Sequence, residues 1–350
     1  MCRGRHCMQR VAVRVSTRGA SNSCRPKQKQ LLLALLALLS VVIISSWIPD
    51  IFFAEQVQLP VRKAPRTVVS ISSFSQRVFH MQACLDTVFA QSQPPDRVII
   101  TIPRKFRFLE KTATPWKFLF LHTYTNTYHN ETEVDMVNWF LKYTGAASIS
   151  YRVNLDVHKT SYVYEIGMLT VQFVDSDWGP ATKLIGALLL EKDNDTVVIT
   201  LDDDMQYHRD TVQWLSTHIP PGTALSFGCE MLTGDGRATI DFHQSSIHDF
   251  YMSTPRVCHG WLIGWTAVAY RVSSFGPDIY TFLQSLPVAC FNTDDIWLSG
   301  YLAQRGVPKI YAPMVLYHGK HTLNLELSLQ TVVGVSDKAL SCARHLFHEL

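Results

Sequence analysis

The chain has 350 residues, 47% of them hydrophobic, with 32 Lys and Arg against 29 Asp and Glu for a formal net charge of +3. Eight of those cations (Arg3, Arg5, Arg10, Arg14, Arg18, Arg25, Lys27 and Lys29) stand in the first thirty residues, which carry no Asp or Glu. The remaining 24 cations face 29 acids, so the body of the protein is mildly acidic and nucleic acid is excluded as its expected partner.

Directly after the basic tail (1–30), Leu31 to Ile48 is uncharged and almost wholly apolar, close to the roughly 20 residues that cross a bilayer. A transmembrane signal anchor over 31–53 is the expectation. A cleaved signal peptide is the alternative, but its apolar region is usually about 7–15 residues, and no clear Ala-x-Ala site follows here. With Lys and Arg ahead of the span, the positive-inside rule leaves the tail in the cytosol and the rest in a lumen. The sequons Asn130-Glu-Thr132 and Asn194-Asp-Thr196 agree with that orientation. Residues 54–66, with prolines and no periodicity, read as a stem, and 67–350 as one large α/β domain. Cys84, Cys229, Cys258, Cys290 and Cys342 form no CxxC pair, which argues for one or two structural bridges plus a spare thiol.

Within the domain, Val68–Ile71 reads as a strand, Phe79–Gln91 as an amphipathic helix and Arg97–Ile102 as a second strand entered through Pro94-Pro95-Asp96. Such alternation predicts a parallel sheet with helices on its faces. Ser148–Val153 is a further candidate strand. Gly179-Pro180 is expected to open a helix running to Glu191, with Pro at the first helical position where its missing N–H costs nothing. Asp177 before it is a candidate cap. The run Thr196–Leu201 then reads as a strand buried on both faces, and Asp202, Asp203 and Asp204 follow at its carboxyl end, where open α/β sheets bind ligands. Oxygen-only donors suit Mg²⁺ or Mn²⁺, which take one or two carboxylates plus the phosphates of a bound nucleotide. An Asp-rich turn that merely solvates a strand end is the competing reading. Thr239–Arg271, rich in aromatics and Gly, suggests an antiparallel portion, and Asn292–Gln304 a helix begun by Asn292 or Thr293 with Asp294 and Asp295 in its first turn. Ile310–Leu316 reads as a last strand, running into Tyr317-His318-Gly-Lys-His321.

An apolar strand ending in Asp202-Asp-Asp204, an upstream Gly179-Pro-Ala-Thr-Lys183 segment and a later Thr293-Asp-Asp295-Ile-Trp-Leu helix together resemble glycosyltransferases of the GT-A fold, more closely their type 2-like branch. The resemblance spans roughly Thr67 to His321. It implies a Rossmann-like, mostly parallel mixed sheet flanked by helices, and a metal-dependent, inverting transfer of sugar from a nucleotide-sugar donor to a glycan or glycoprotein acceptor in the Golgi or ER lumen. By the same resemblance Asp202 and Asp204 hold Mn²⁺ (or Mg²⁺), with Asp204 the more direct ligand and Asp203 turned toward ribose or a backbone amide. It implies Asp295 as general base, Asp294 as an acceptor or orienting contact, and His318 as a further metal ligand. Lys183 is carried over to the diphosphate or base, Ser70 and Arg77 to the nucleotide, and Trp261 with Gly260 to the acceptor sugar. The family's usual Glu-Asp pair is Asp-Asp here, and the Arg often found later in that helix is absent. A non-catalytic carbohydrate-binding protein on the same fold, and a metal-dependent phosphodiesterase or nuclease, are the alternatives. Intact Asp202, Asp204 and Asp295 speak against the first, and the lack of a clustered second metal site against the second.

Overall fold

The computed structural model describes residues 65–110, 117–122, 129–155, 160–232, 238–240, 255–312, 320–321 and 335–347. All described residues belong to one compact unit, Glu55–Leu350. The expected span, 31–53, lies outside the described residues. Among the described residues no helix is long and apolar enough to cross a membrane.

In chain order the first half comprises β1 (Thr67–Ser72), α1 (Ser75–Val78), α2 (Gln82–Phe89), β2 (Arg97–Pro103), β3 (Phe106–Glu110), β4 (Lys117–His122), α3 (His129–Thr144), β5 (Ser150–Leu155), β6 (Thr160–Ile166), β7 (Leu169–Val174) and α4 (Thr182–Leu190). The second half continues with β8 (Val197–Asp202), β9 (Met205–Gln206), α5 (Thr211–His218), β10 (Ala224–Ser226), β11 (Cys229–Leu232), β12 (Ala238–Ile240), β13 (Arg256–Val257), β14 (Trp261–Leu262), β15 (Val268–Arg271), α6 (Ile279–Ser285), α7 (Asp294–Gln304), β16 (Lys309–Tyr311), β17 (Lys320–His321) and α8 (Val335–Phe347).

Ten strands form one mixed sheet in the order β13-β16-β10-β15-β8-β1-β2-β7-β6-β5. Its centre, β8-β1-β2-β7, is parallel; β15 enters antiparallel beside β8, and β6 and β5 extend the other wing antiparallel. The expected antiparallel portion is a three-stranded sheet, β12-β11-β14.

Alternation along the central strands separates two cores. Val69, Ile71, Val98, Ile100, Ile102, Val197, Ile199 and Leu201 face one side, where α2, α3 and α5 contribute Leu85, Val88, Phe140, Val212 and Leu215. The intervening Val68, Ile99 and Val198 face the other, against Leu184 and Ile185 of α4, Trp297 and Leu302 of α7 and Phe347 of α8. The period of two in a strand forces this division. Each fully buried Val, Ile or Leu contributes roughly 1.5–3 kcal/mol, which is why continuous apolar runs become central strands.

The helix expected over Phe79–Gln91 is α2, Gln82–Phe89, and begins later than its periodicity suggests. Phe79 and His80 are exposed, the His80 N–H bonds back to the Arg77 carbonyl, and Met81 starts the ladder by accepting from Leu85. Pro180 is likewise not the first residue of its helix. Gly179 adopts φ 63°, and Pro180 forms a bridge with Trp178, so α4 starts at Thr182. A side chain at Gly179 would bring its Cβ to 2.3 Å from the Phe291 carbonyl oxygen, so the turn needs glycine for both conformation and space. Asp177 supports the turn, accepting from the Gly179 N–H at 2.8 Å.

Two disulfides form, Cys229–Cys258 and Cys290–Cys342, and Cys84 is the free, buried thiol among the described residues. Burial pushes the Cys84 thiol well above its ordinary pKa, so it is a core filler rather than a nucleophile.

Candidate active site

The carboxyl end of β8 carries the acidic triplet, and strand alternation decides where each carboxylate goes. Asp202 falls on the α4–α7 side, where its Oδ1 lies 2.6 Å from the Lys183 ammonium. Asp203 falls on the opposite side, where Arg77 pairs with it and the Ser73 hydroxyl donates to it at 2.6 Å. Beyond the strand the chain turns, and Asp204 meets the same Arg77 guanidinium at 2.8 Å. The three acids therefore do not form one cluster. Their exposure differs in the same sense: Asp202 is 30%, Asp204 15% and Asp203 6% exposed.

Asp203 is thus turned inward, toward Arg77 and Ser73, rather than outward to a ribose. Burial raises its pKa to about 6 against the opposing pull of Arg77. The Asp202 backbone N–H donates to the Tyr207 hydroxyl at 2.7 Å, which holds the strand end in place.

The second acidic pair arrives from far along the chain. The first turn of α7 places Asp294 Oδ2 3.1 Å from the Lys183 ammonium, so one buried lysine joins the strand-end acid to the helix-start acid. Burial works against that ammonium, yet Asp202, Asp294 and Asp295 hold its pKa well above the usual lysine value. Burial raises the pKa of Asp294, with Lys183 opposing. Burial, reinforced by the neighbouring Asp294 charge, raises that of half-buried Asp295 further. A carboxylate made more basic in this way accepts a proton more readily than an ordinary aspartate.

Asp295 is held by a loop. The Gly264 N–H donates to its Oδ2 at 2.8 Å, and a Cβ at Gly264 would lie 2.2 Å from its Oδ1. The loop ends at Ala267, whose φ of 78° is unusual for a residue with a side chain. It is fastened from below by Ser226, whose hydroxyl lies 3.0 Å from both the Thr266 hydroxyl and the Ala267 carbonyl. Thr293 precedes the helix but caps nothing with its side chain, which donates instead to the Cys290 carbonyl at 3.1 Å.

Several expected contacts are placed elsewhere. Ser70 is fully buried, and its hydroxyl donates to the Lys183 carbonyl, so it pins α4 to β1 rather than facing a nucleotide. Trp261 is 3% exposed, packs on Phe347 and donates its indole N–H to Glu230 at 3.0 Å. It fills a core instead of offering a face to a sugar. Gly260 is also buried, and its carbonyl accepts from the buried Lys309 ammonium. His318 lies outside the described residues. Ser73 and Ser226 had no signal in the sequence, because each acts through a contact between distant segments; Gly264 lies in the segment expected to line the acceptor side, and the structure gives it the contact to Asp295 instead.

No protein-family model matches this sequence, and no curated protein matches it. Solved structures with a similar chain path include a mannosyltransferase from Pyrobaculum calidifontis in complex with GDP-Man and Mn²⁺, at 16% identity and a TM-score of 0.40 over 80% of this chain. This chain spans 63% of that protein's length. Residues 1–349 of S. aureus TarS match at 11% identity and a TM-score of 0.40, over 80% of this chain and 73% of that one. A 4-diphosphocytidyl-2C-methyl-D-erythritol synthase from Anaerococcus prevotii matches at 10% identity and 0.37, over 78% of this chain and 97% of its own. Likenesses of this size carry no functional argument. The chemistry of the site has to carry it.

Proposed function

We propose that this protein is a nucleotide-sugar-dependent glycosyltransferase of the GT-A type, acting on a glycan or glycoprotein acceptor. One observation carries the reading: Asp202 at the end of β8 and Asp294 at the start of α7 meet on the same buried Lys183, with Asp295 beside them. A donor-side acid and a basic acceptor-side carboxylate are what sugar transfer from a phosphorylated leaving group needs in one cleft.

The charge balance supports a divalent cation. Among the described residues the Lys183 ammonium meets both Asp202 and Asp294, and the Arg77 guanidinium both Asp203 and Asp204, so each of these cations is shared by two carboxylates. A diphosphate entering alone would be repelled. Among the described residues no three His, Cys, Asp or Glu side chains converge to hold a metal. The partly exposed side chains of Asp204 and Asp202 fit a hard ion such as Mn²⁺ or Mg²⁺, which would take its remaining ligands from the phosphates. At that place the ion would supply neutralisation of the departing nucleoside diphosphate. Asp295 accepts the proton of the acceptor hydroxyl, whose oxygen attacks the anomeric carbon as the bond to the diphosphate breaks, with inversion. Asp294 orients the acceptor or the base, and the Gly264 N–H fixes the Asp295 carboxylate.

A thermal-shift screen against UDP-, GDP- and CMP-sugars with Mn²⁺ tests the donor class. A donor present at 100 times its Kd adds about 2.7 kcal/mol to apparent stability. Asp204→Asn is expected to abolish the Mn²⁺-dependent part of that shift; a chelator-insensitive shift retained in the variant would reduce the triplet to a strand cap.

The same proposal places the protein in the Golgi or ER membrane, anchored through 31–53 with the catalytic unit lumenal. Asn194 is exposed, as a glycan acceptor must be. Endoglycosidase treatment of protein made in cells is expected to increase its mobility, and this increase should disappear with Asn130→Gln/Asn194→Gln. Unchanged mobility of the wild type would contradict the lumenal orientation.

A further inference from the structure

Lys183 invites assignment as a ligand of the donor phosphates, but its geometry is that of an internal brace. It is the second residue of α4 and only 4% exposed, while Asp202 and Asp204, which a donor complex would meet, keep 30% and 15% of their surface. An ammonium has three donors. Asp202 Oδ1 at 2.6 Å and Asp294 Oδ2 at 3.1 Å engage it from two different elements, one at a strand end and one at a helix start. The lysine itself is anchored behind the site, since the Ser70 hydroxyl bonds its carbonyl and the Gly179 turn sets where α4 begins.

We propose that Lys183 is a positioning residue that locks the donor-side carboxylate of β8 and the acceptor-side start of α7 into one reactive geometry, without itself binding the donor. This rests on the transferase reading. Two carboxylates brought this close without a cation repel each other, and a buried acid left unpaired is costly. Without the lysine, the start of α7 and Asp295 with it would relax away from the end of β8. Transfer is sensitive to such a shift, because about 1 Å of misplacement costs roughly 10²-fold in rate.

The test uses the full chain with Lys183→Met, Lys183→Gln and Lys183→Arg. For Lys183→Met, kcat at saturating donor is expected to fall about 10²-fold, with the donor Kd in Mn²⁺ within about threefold of wild type. Lys183→Arg, which keeps the charge, is expected to recover most of kcat. If Lys183→Met does not fold, Lys183→Gln, which keeps hydrogen-bonding capacity and drops the charge, provides the same comparison. Loss of donor affinity with kcat retained would make Lys183 a phosphate ligand and overturn the proposal. A lowered Tm with wild-type kcat would make the lysine merely structural and overturn it too. A crystal structure of the charge-free variant is the readout independent of turnover: separation of Asp294 from Asp202 is expected, and an unmoved pair refutes the brace. Absence of transfer by the wild type would sink the transferase reading, while the crystallographic arm still decides whether Lys183 braces the two elements.

Discussion

Asp295→Asn is expected to lower kcat by about 10²–10⁴-fold, the usual contribution of a general base, while donor and Mn²⁺ binding stay near wild type. The amide keeps the shape that accepts the Gly264 N–H but cannot take the acceptor's proton. Because burial and Asp294 raise the pKa of Asp295, the carboxyl stays protonated to a higher pH than an ordinary aspartate. The base works only when ionised, so activity should be lost as pH falls through that raised value, and the acidic limb of kcat/KM should lie above the usual carboxylate range. In Asp295→Asn that limb should vanish. Normal transfer by the variant would reduce Asp295 to a helix-start residue. No transfer by the wild type with any bound donor would favour the carbohydrate-binding alternative.

The second large effect concerns the Cys290–Cys342 bridge. It ties α8 to the turn just before Asp294, and its cysteines are 52 residues apart, a loop whose closure is worth about 4 kcal/mol on the chain-entropy account. Cys342 and Ala343 are buried against the α7 side of the sheet, Leu346 packs on Gly300 of α7, and the Lys309 ammonium lies over the Phe347 ring at 4.9 Å. Cys290→Ala/Cys342→Ala is expected to lower Tm on the order of 10 °C in a domain of this size. The kcat measured well below Tm should also fall, because the bridge sits at the root of the helix that carries Asp294 and Asp295. An unchanged Tm would show that the packing of α8 suffices without the bridge. A lowered Tm with unchanged kcat would separate the bridge from the geometry of the acids.

What the sequence by itself determined is local. Val68–Ile71, Arg97–Ile102 and Thr196–Leu201 are apolar on both faces, and only a central strand buries both, so these strands and the acidic end of the third were legible from residue order. The helix carrying Asp294 and Asp295 in its first turn was legible for the same kind of reason, because acids there suit the helix dipole. Tertiary structure decided the rest. A period of two places Asp202 and Asp203 on opposite faces, but which face holds Lys183 and which holds Arg77 depends on how α4 and α1 pack on the sheet. Trp261, beside its glycine, could as well have been a sugar platform, and it is the placement of α8 over it that makes it core. The Gly264 loop reaches Asp295 because β15 inserts antiparallel beside β8, a pairing between segments about seventy residues apart. Periodicity reports how much of a segment is buried; it carries no information about which distant segment covers it, and the chemistry of this site lies in those pairings.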